Sequence, residues 1–258
     1  MNIRLHDVCV PAGSASANGP LFDGLVLELP ANRQVGVLGG SKSGKTTLLR
    51  LICGTAIPYT GMVECRVRTS WPIPLSNFIT SSVSVVRNIR FLARLYGVAD
   101  ESFPRQIAEM VGIEAFLNVP VQKCPKFVKP RLALALGIGL EFDTYLFDGT
   151  LAAADKDFKE QAIELVTKRM AGRGFILATN SSEEVEKYCE SIFVLDAGKA
   201  RYFNDKSEGI EYFKTILKAE KQKRPSGKGA RQLEDENEDS DGIGDIDVVG
   251  SAIMDAFE

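Results

Sequence analysis

Apolar and polar positions follow two rhythms along this chain. Short, almost unbroken apolar runs recur at "RQVGVLGG" (33–40), "TYLFD" (144–148), "GFILAT" (174–179) and "SIFVLD" (191–196). Runs of that length read as strands buried on both faces. Longer stretches with helical spacing separate them. "KTTLLRLICG" (45–54) comes directly after the first strand, and "KDFKEQAIELVTKRMAG" (156–172) sets Phe158, Ile163, Leu165 and Val166 on its apolar side. Strands alternating with helices predict an α/β fold whose parallel core sheet is covered by helices. The first 30 residues and "GMVECRVR" (61–68) predict antiparallel strands instead, an N-terminal β subdomain. "VVRNIRFLARLYGV" (85–98) and "ESFPRQIAEMVGIEAFL" (101–117) predict a helical subdomain over about 80–135.

This pattern defines one domain over residues 1–217 and a tail over 218–258. "QLEDENEDSDGIGDID" (232–247) is acidic and lacks aromatics, a composition that predicts disorder. "VVGSAIMDAF" (248–257) is apolar again and reads as a frayed terminus or a short docking motif. Charge obeys the same division. Residues 233–258 hold ten acids and no Lys or Arg, which leaves 31 basic against 24 acidic residues, a net of +7, on residues 1–232. That body suits an anionic membrane face, an acidic partner or plain solvated surface. The longest apolar run, "LALALGIGL" (132–140), has nine residues, whereas a spanning helix needs about 20. With Asp and His in "MNIRLHDVCV" in place of an apolar leader, a cytoplasmic location is expected. Five scattered cysteines without a CxxC pair, and His6 as the only histidine, speak for neutral thiols and against a zinc site.

One motif carries chemistry. "GGSKSGKT" (39–46) fits G-x-x-x-x-G-K-[ST], between an apolar strand and an amphipathic helix. Glycines let backbone N–H groups turn inward around a phosphate, and the helix N-terminus adds positive potential. Gly39, Gly40, Ser41, Lys42, Ser43, Gly44, Lys45, Thr46 and Thr47 are therefore the candidate nucleotide-binding residues. Lys45 is placed to reach the outer phosphates. Thr46 and Asp148, the latter at the end of "TYLFD", are placed to hold Mg²⁺.

The order of this loop, a helical insertion, "YLFDGTLAAAD" (145–155) and "FILATNSSEEVEKYCESIFVLDAGKARYFND" (175–205) resembles the ATP-binding subunit of an ABC transporter, a P-loop NTPase. "SWPIP" (70–74), "NIRFLARLYGV" (88–98) and "FVLDAGKARYFND" (193–205) are similar to the branch that powers export of capsular or lipid-linked polysaccharide. The resemblance covers about residues 1–215. It implies ATP and Mg²⁺ bound between two subunits arranged head to tail. It also implies a membrane permease as partner, docked near residues 76–98, a peripheral place at the inner face of the plasma membrane, and no nucleic acid.

Several family positions carry other residues. The Glu that polarises water falls at Gly149, the switch His at Asn180, and the metal-sensing Gln near Thr80. The Ser-Gly-Gly signature, which contacts a γ-phosphate from the opposite subunit, falls at Pro125, Lys126 and Phe127. The aromatic that stacks on adenine falls near Pro20 to Phe22; Phe22 suits that role or a place in the core. No catalytic residue is therefore assigned, and the expectation is ATP–Mg²⁺ binding with weak or absent hydrolysis. A soluble nucleotide-sensing or scaffold protein and an active ATPase with rearranged residues are the alternatives. Because all the departures sit on one chain, pairing with a competent paralogue would damage both shared sites. The chain is expected to act by nucleotide-dependent binding, or to restrain such a paralogue by occupying its place, more than to serve as the silent half of an active pair; the partner expected for a dimer is itself or that paralogue.

Overall fold

The computed structural model describes residues 2–11, 20–74, 76–149 and 156–223. The acidic stretch and the apolar segment after it lie outside these residues. The chain divides into two units, Met1–Ala219 and Glu220–Glu258. The second is described only over 220–223, as helix backbone.

Two sheets form the first unit. Strands β1 (Asn2–Val10), β2 (Phe22–Pro30) and β4 (Thr60–Glu64) make an antiparallel sheet in the order β2-β1-β4. Strands β3 (Gln34–Gly39), β5 (Thr69–Ile73), β6 (Thr144–Asp148), β7 (Gly174–Thr179), β8 (Ser191–Asp196) and β9 (Lys199–Phe203) make a second sheet. Its order is β5-β6-β7-β3-β8-β9. All its pairings are parallel except β9, which runs antiparallel to β8. The predicted parallel core and antiparallel N-terminal region are both present.

Side-chain alternation explains why the core strands look uniformly apolar. Val35, Val37, Leu146, Ile176, Ala178, Phe193 and Leu195 face a core shared with helix α1 (Lys45–Ile52) and the antiparallel sheet. Tyr145, Phe147, Phe175, Leu177, Ile192 and Val194 face the opposite core. Successive residues thus fill different cores, and the buried polar residues Thr144, Thr179 and Ser191 stand at strand ends.

The second core is closed by helices. They are α2 (Val85–Leu95), α3 (Phe103–Met110), α4 (Val128–Gly139), α5 (Lys159–Met170), α6 (Ser182–Tyr188) and α7 (Lys206–Lys223). In α5 the buried stripe runs Phe158, Ala162, Val166, Met170, at four-residue steps. Ile163 and Leu165, expected on that face, are only half-buried at its margins. The small Ala162 escapes the hydrophobic pattern because it adds little apolar area, yet it is fully buried in the second core. Strand β5 escapes it too, since Pro72 interrupts its run. It occupies the sheet edge, where one side needs no ladder partner and a missing N–H is tolerated. Cys189 lies buried beside Gly36, and burial pushes its thiol up to about 12, so it packs as a neutral side chain.

Candidate functional site

Strand β3 ends at Gly39 and α1 begins at Lys45; the residues between them turn back on themselves, with Ser43 N–H donating to the Gly40 carbonyl at 3.3 Å. Gly44 adopts φ 94°, and a Cβ there would meet the Phe22 ring at 2.6 Å. Both the backbone and the packing therefore require glycine. No side-chain oxygen caps α1, and no acid sits in its first turn. Its N-terminal N–H groups and positive dipole end consequently point into the loop without a capping side chain or a first-turn acid of the helix's own.

Lys45 folds across this loop, its Nζ donating to the carbonyls of Gly39 at 2.9 Å and Gly40 at 2.8 Å. Ser43 Oγ is buried and has no hydrogen-bond partner among the described residues. On the neighbouring strand end, Asp148 accepts a hydrogen bond from the Thr46 side chain. Burial raises the Asp148 carboxyl above its usual range; the Thr46 bond and the positive charges of Lys45 and Arg50 oppose that shift without cancelling it. An ammonium, an unsatisfied hydroxyl and a Thr–Asp oxygen pair surround one helix N-terminus. This donor set fits a phosphate chain with a hard divalent cation.

Sheet register carries other candidate residues to the same edge. Leu38 stands beside Thr179, and Asp148 beside Ala178, so Gly39, Asp148 and Asn180 all leave the carboxyl ends of adjacent strands. Ligands of parallel α/β sheets bind at that edge. Gly149 has φ 96°, its N–H donates to the Ala178 carbonyl at 2.7 Å, and a Cβ would meet nothing within 4 Å among the described residues. Space exists for a side chain there, but the backbone conformation disfavours one. Asn180 is exposed. Its turn is tied on both sides: Ser181 N–H donates to Thr179 Oγ1 at 3.1 Å, Glu184 N–H to Ser181 Oγ at 3.3 Å, and Thr179 Oγ1 to Glu184 Oε2 at 3.2 Å. Ser181 thus caps α6 through the Glu184 N–H, and Thr179 Oγ1 links the Ser181 N–H to the Glu184 carboxylate.

Thr80 is exposed, and its backbone is clamped by Asn88, which is only 5% exposed. Asn88 Oδ1 accepts from Thr80 N–H at 2.9 Å, while Nδ2 donates to the carbonyls of Thr80, Val83 and Ser84 at 3.1, 3.3 and 3.1 Å. Sequence reasoning missed Asn88. Its signal is a lone amide among Val85, Ile89 and Leu92 on the buried side of α2.

Pro125 and Lys126 are exposed just before α4, and Phe127 occupies the N-cap position without a side-chain cap. The Arg131 guanidinium lies over the Phe127 ring at 4.6 Å and the Phe158 ring at 4.3 Å, and donates to the Val111 carbonyl at 3.3 Å. This corner is a packed aromatic–guanidinium stack. Phe22 is fully buried against Gly44, which settles its role as core and removes it as a stacking surface for a base.

The family model described as ABC transporter matches residues 22–169, more than half of the chain. The chain is 31% identical over 216 residues to the ATP-binding protein BexA of Haemophilus influenzae, covering 84% of this chain and 100% of that one. It is 30% identical over 189 residues to the capsule polysaccharide export ATP-binding protein CtrD of Neisseria meningitidis, covering 73% of this chain and 88% of the relative. A solved ATP-binding subunit of an ABC transporter superposes with a TM-score of 0.68 at 17% identity, over 84% of this chain and 100% of its own, a likeness of fold. Built around a strand–loop–helix phosphate cradle with a carboxylate on the adjoining strand, this chain belongs to the ABC transporter family, as an ATP-binding domain.

Proposed function

We propose that this chain is the ATP-binding subunit of an ABC-type polysaccharide export system, one that binds ATP with Mg²⁺ and hydrolyses it weakly or not at all. The export assignment rests on relatives such as CtrD, whose name states capsule polysaccharide export. The relatives' class implies a membrane permease as partner. The observation that carries the nucleotide reading is the intact loop, with Ser43 Oγ unsatisfied and Thr46 joined to Asp148.

Each residue has a role in this reading. Backbone N–H groups of 40–46 and the start of α1 surround the phosphates. Lys45 exchanges its loop carbonyls for phosphate oxygens, and Ser43 gains the acceptor it lacks. Thr46 and Asp148 would hold Mg²⁺, which would supply positive charge to neutralise the phosphates. The residue after Asp148 decides the outcome for hydrolysis. A side chain that deprotonates water typically contributes 10²–10⁴ in rate. Gly149 offers none, and its left-handed backbone suits glycine there. Asn180 succeeds β7 without an imidazole, and Lys126 stands where the family presents backbone N–H donors to the opposite subunit's γ-phosphate. These losses do not simply multiply, but a combined deficit of at least roughly 10³ is expected.

A thermal melt with millimolar ATP and Mg²⁺ tests the binding half. Stabilisation scales as RT ln(1 + [L]/Kd), so a clear rise is expected, and Lys45→Ala removes it. Phosphate release tests the other half and should stay near background. Absence of any thermal shift in the wild type would refute nucleotide binding. Brisk turnover that Lys45→Ala abolishes would establish an active ATPase instead.

A further inference from the structure

The phosphate loop bends through a tight turn. Ser43 N–H donates to the Gly40 carbonyl at 3.3 Å, and Lys42, the third residue of that turn, has φ 63°. A turn left-handed at its third position takes glycine, or asparagine. Any larger side chain strains the backbone there. The loop places glycine at 39, 40 and 44 but lysine at 42. Asp7 and Ala197, the other described residues with a left-handed backbone that are not glycine, lie outside the loop. The Lys42 side chain is exposed, and among the described residues its ammonium has no carboxylate partner. Exposed cations elsewhere find one: Arg4 pairs with Glu28, Arg33 with Glu190 and Arg105 with Glu109. Lys42 also precedes Ser43, whose buried Oγ lacks a partner among the described residues, and a helix start with no acid in its first turn. Folding alone favours glycine at this position. A strained residue at a binding loop points instead to a task for its side chain.

We propose that Lys42 is a second phosphate-binding cation of this loop, that its ammonium meets the terminal phosphate of a bound nucleoside triphosphate, and that this contact makes the site prefer triphosphate to diphosphate. The chemistry of the ligand selects the terminal group. That phosphate has three unbridged oxygens where each inner one has two, and it carries the most negative charge. The inner phosphates are the ones that the N–H groups of a closed glycine-rich loop surround. Lys45 is held against the loop itself, on the carbonyls of Gly39 and Gly40. An exposed lysine on a flexible four-carbon stem serves the part of the chain that projects beyond the loop. A triphosphate with one Mg²⁺ is still anionic, so a second ammonium meets charge that Lys45 alone leaves unmatched. This inference rests on the nucleotide reading of the loop, and adds the residue that distinguishes the last phosphate.

The test combines melts of the nucleotide-free full chain with calorimetric titration of ATP and of ADP, each with Mg²⁺. Lys42→Gly should raise the melting temperature by about 2–4 °C, because glycine adopts φ 63° without strain. The same change should weaken ATP binding about tenfold and ADP binding by less than about threefold. Opposite signs in stability and affinity separate this role from a structural one: a residue that only shapes the turn gives no ATP-selective loss when its strain is relieved. Lys42→Ala keeps the strain and removes the charge, so it should melt like the wild type and lose ATP affinity about tenfold. Lys42→Arg keeps the charge and should stay within about threefold of the wild type for both nucleotides. The position is exposed, and the melts confirm that each variant folds. A wild type that binds neither nucleotide would refute the nucleotide reading and this inference with it. Wild-type binding of ATP that Lys42→Gly and Lys42→Ala both retain, or equal losses for ATP and ADP, would overturn this inference and leave that reading standing. A Lys42→Gly variant that melts no higher than the wild type would overturn the strain on which it is built.

Discussion

Lys45, Ser43, Thr46 and Asp148 come from one loop and one adjoining strand end, and each presents a polar group to the proposed phosphate site. Gly149, Asn180, Thr80 and Lys126 come from four separate connections; Gly149 carries no side chain, and Asn180, Thr80 and Lys126 are exposed. Yet those connections are not loose. Asn88 clamps the backbone at Thr80, Thr179 and Glu184 brace the turn at Asn180, and Arg131 stacks between Phe127 and Phe158 beside Lys126. The contrast separates two demands on a catalytic site. Holding a segment in place uses buried residues that pack against it. Doing chemistry from that segment uses an exposed side chain, which can change without disturbing the packing.

The largest effect should come from breaking the support of a flanking segment. Asn88→Ala removes one acceptor and one donor that serve four backbone groups. A loss of about 2–4 kcal/mol is expected, since backbone groups around a buried amide lose their partners. Denaturant unfolding measures it. The thermal shift caused by ATP should survive, because Asn88 serves the connection and not the phosphate loop. Loss of the ATP shift in a folded variant would show that the two regions are coupled.

A smaller effect tests whether Gly149 is a simple deletion of chemistry. Gly149→Glu places a side chain on a backbone at φ 96°, which costs about 1–2 kcal/mol for a residue other than glycine. Stability should fall by about that amount while phosphate release barely rises. Gly149→Ala should cost nearly the same, which separates backbone strain from charge. If Gly149→Glu were neutral in stability and restored turnover, the flanking segments would have kept their catalytic geometry after all.

The smallest effect concerns Asp148. Its carboxyl is raised above the usual range chiefly by burial, so the folded state holds its proton more tightly than the unfolded chain. Stability then declines as pH rises from the ordinary aspartate range through the raised value, and the loss persists above it. Asp148→Asn should therefore stabilise the nucleotide-free protein slightly at neutral pH, by roughly 1 kcal/mol or less, with the advantage vanishing in acid. The same change should lower the Mg²⁺-dependent part of the ATP shift. Melts at two pH values, with and without nucleotide, check both signs. A destabilised Asp148→Asn at neutral pH would mean that the Thr46 bond outweighs burial.

Much of the fold was legible because its signals are local. "TYLFD", "GFILAT" and "SIFVLD" are strands over the residues read from their apolar runs. What escaped was set by neighbours distant in sequence. Pro72 concealed an edge strand, Ala162 belonged to the α5 stripe only through its burial in the second core, and Asn88 acquired meaning from a connection it reaches through four backbone groups.

By itself the sequence determined the phosphate loop, since glycine spacing, Lys45 and Thr46 act within one strand–turn–helix unit and need only their immediate neighbours. It also determined which residue types occupy positions 149, 180 and 126, on which the proposal of weak hydrolysis rests. Tertiary structure alone decided the rest. It put Phe22 under Gly44 and so into the core, and it joined Thr46 to Asp148 across more than a hundred residues of chain. It also turned Gly149 into the left-handed region through a bond to Ala178. Each of these depends on sheet order and on which helix covers which face. Those arise from burying two separate cores at once, a condition that no short stretch of sequence contains.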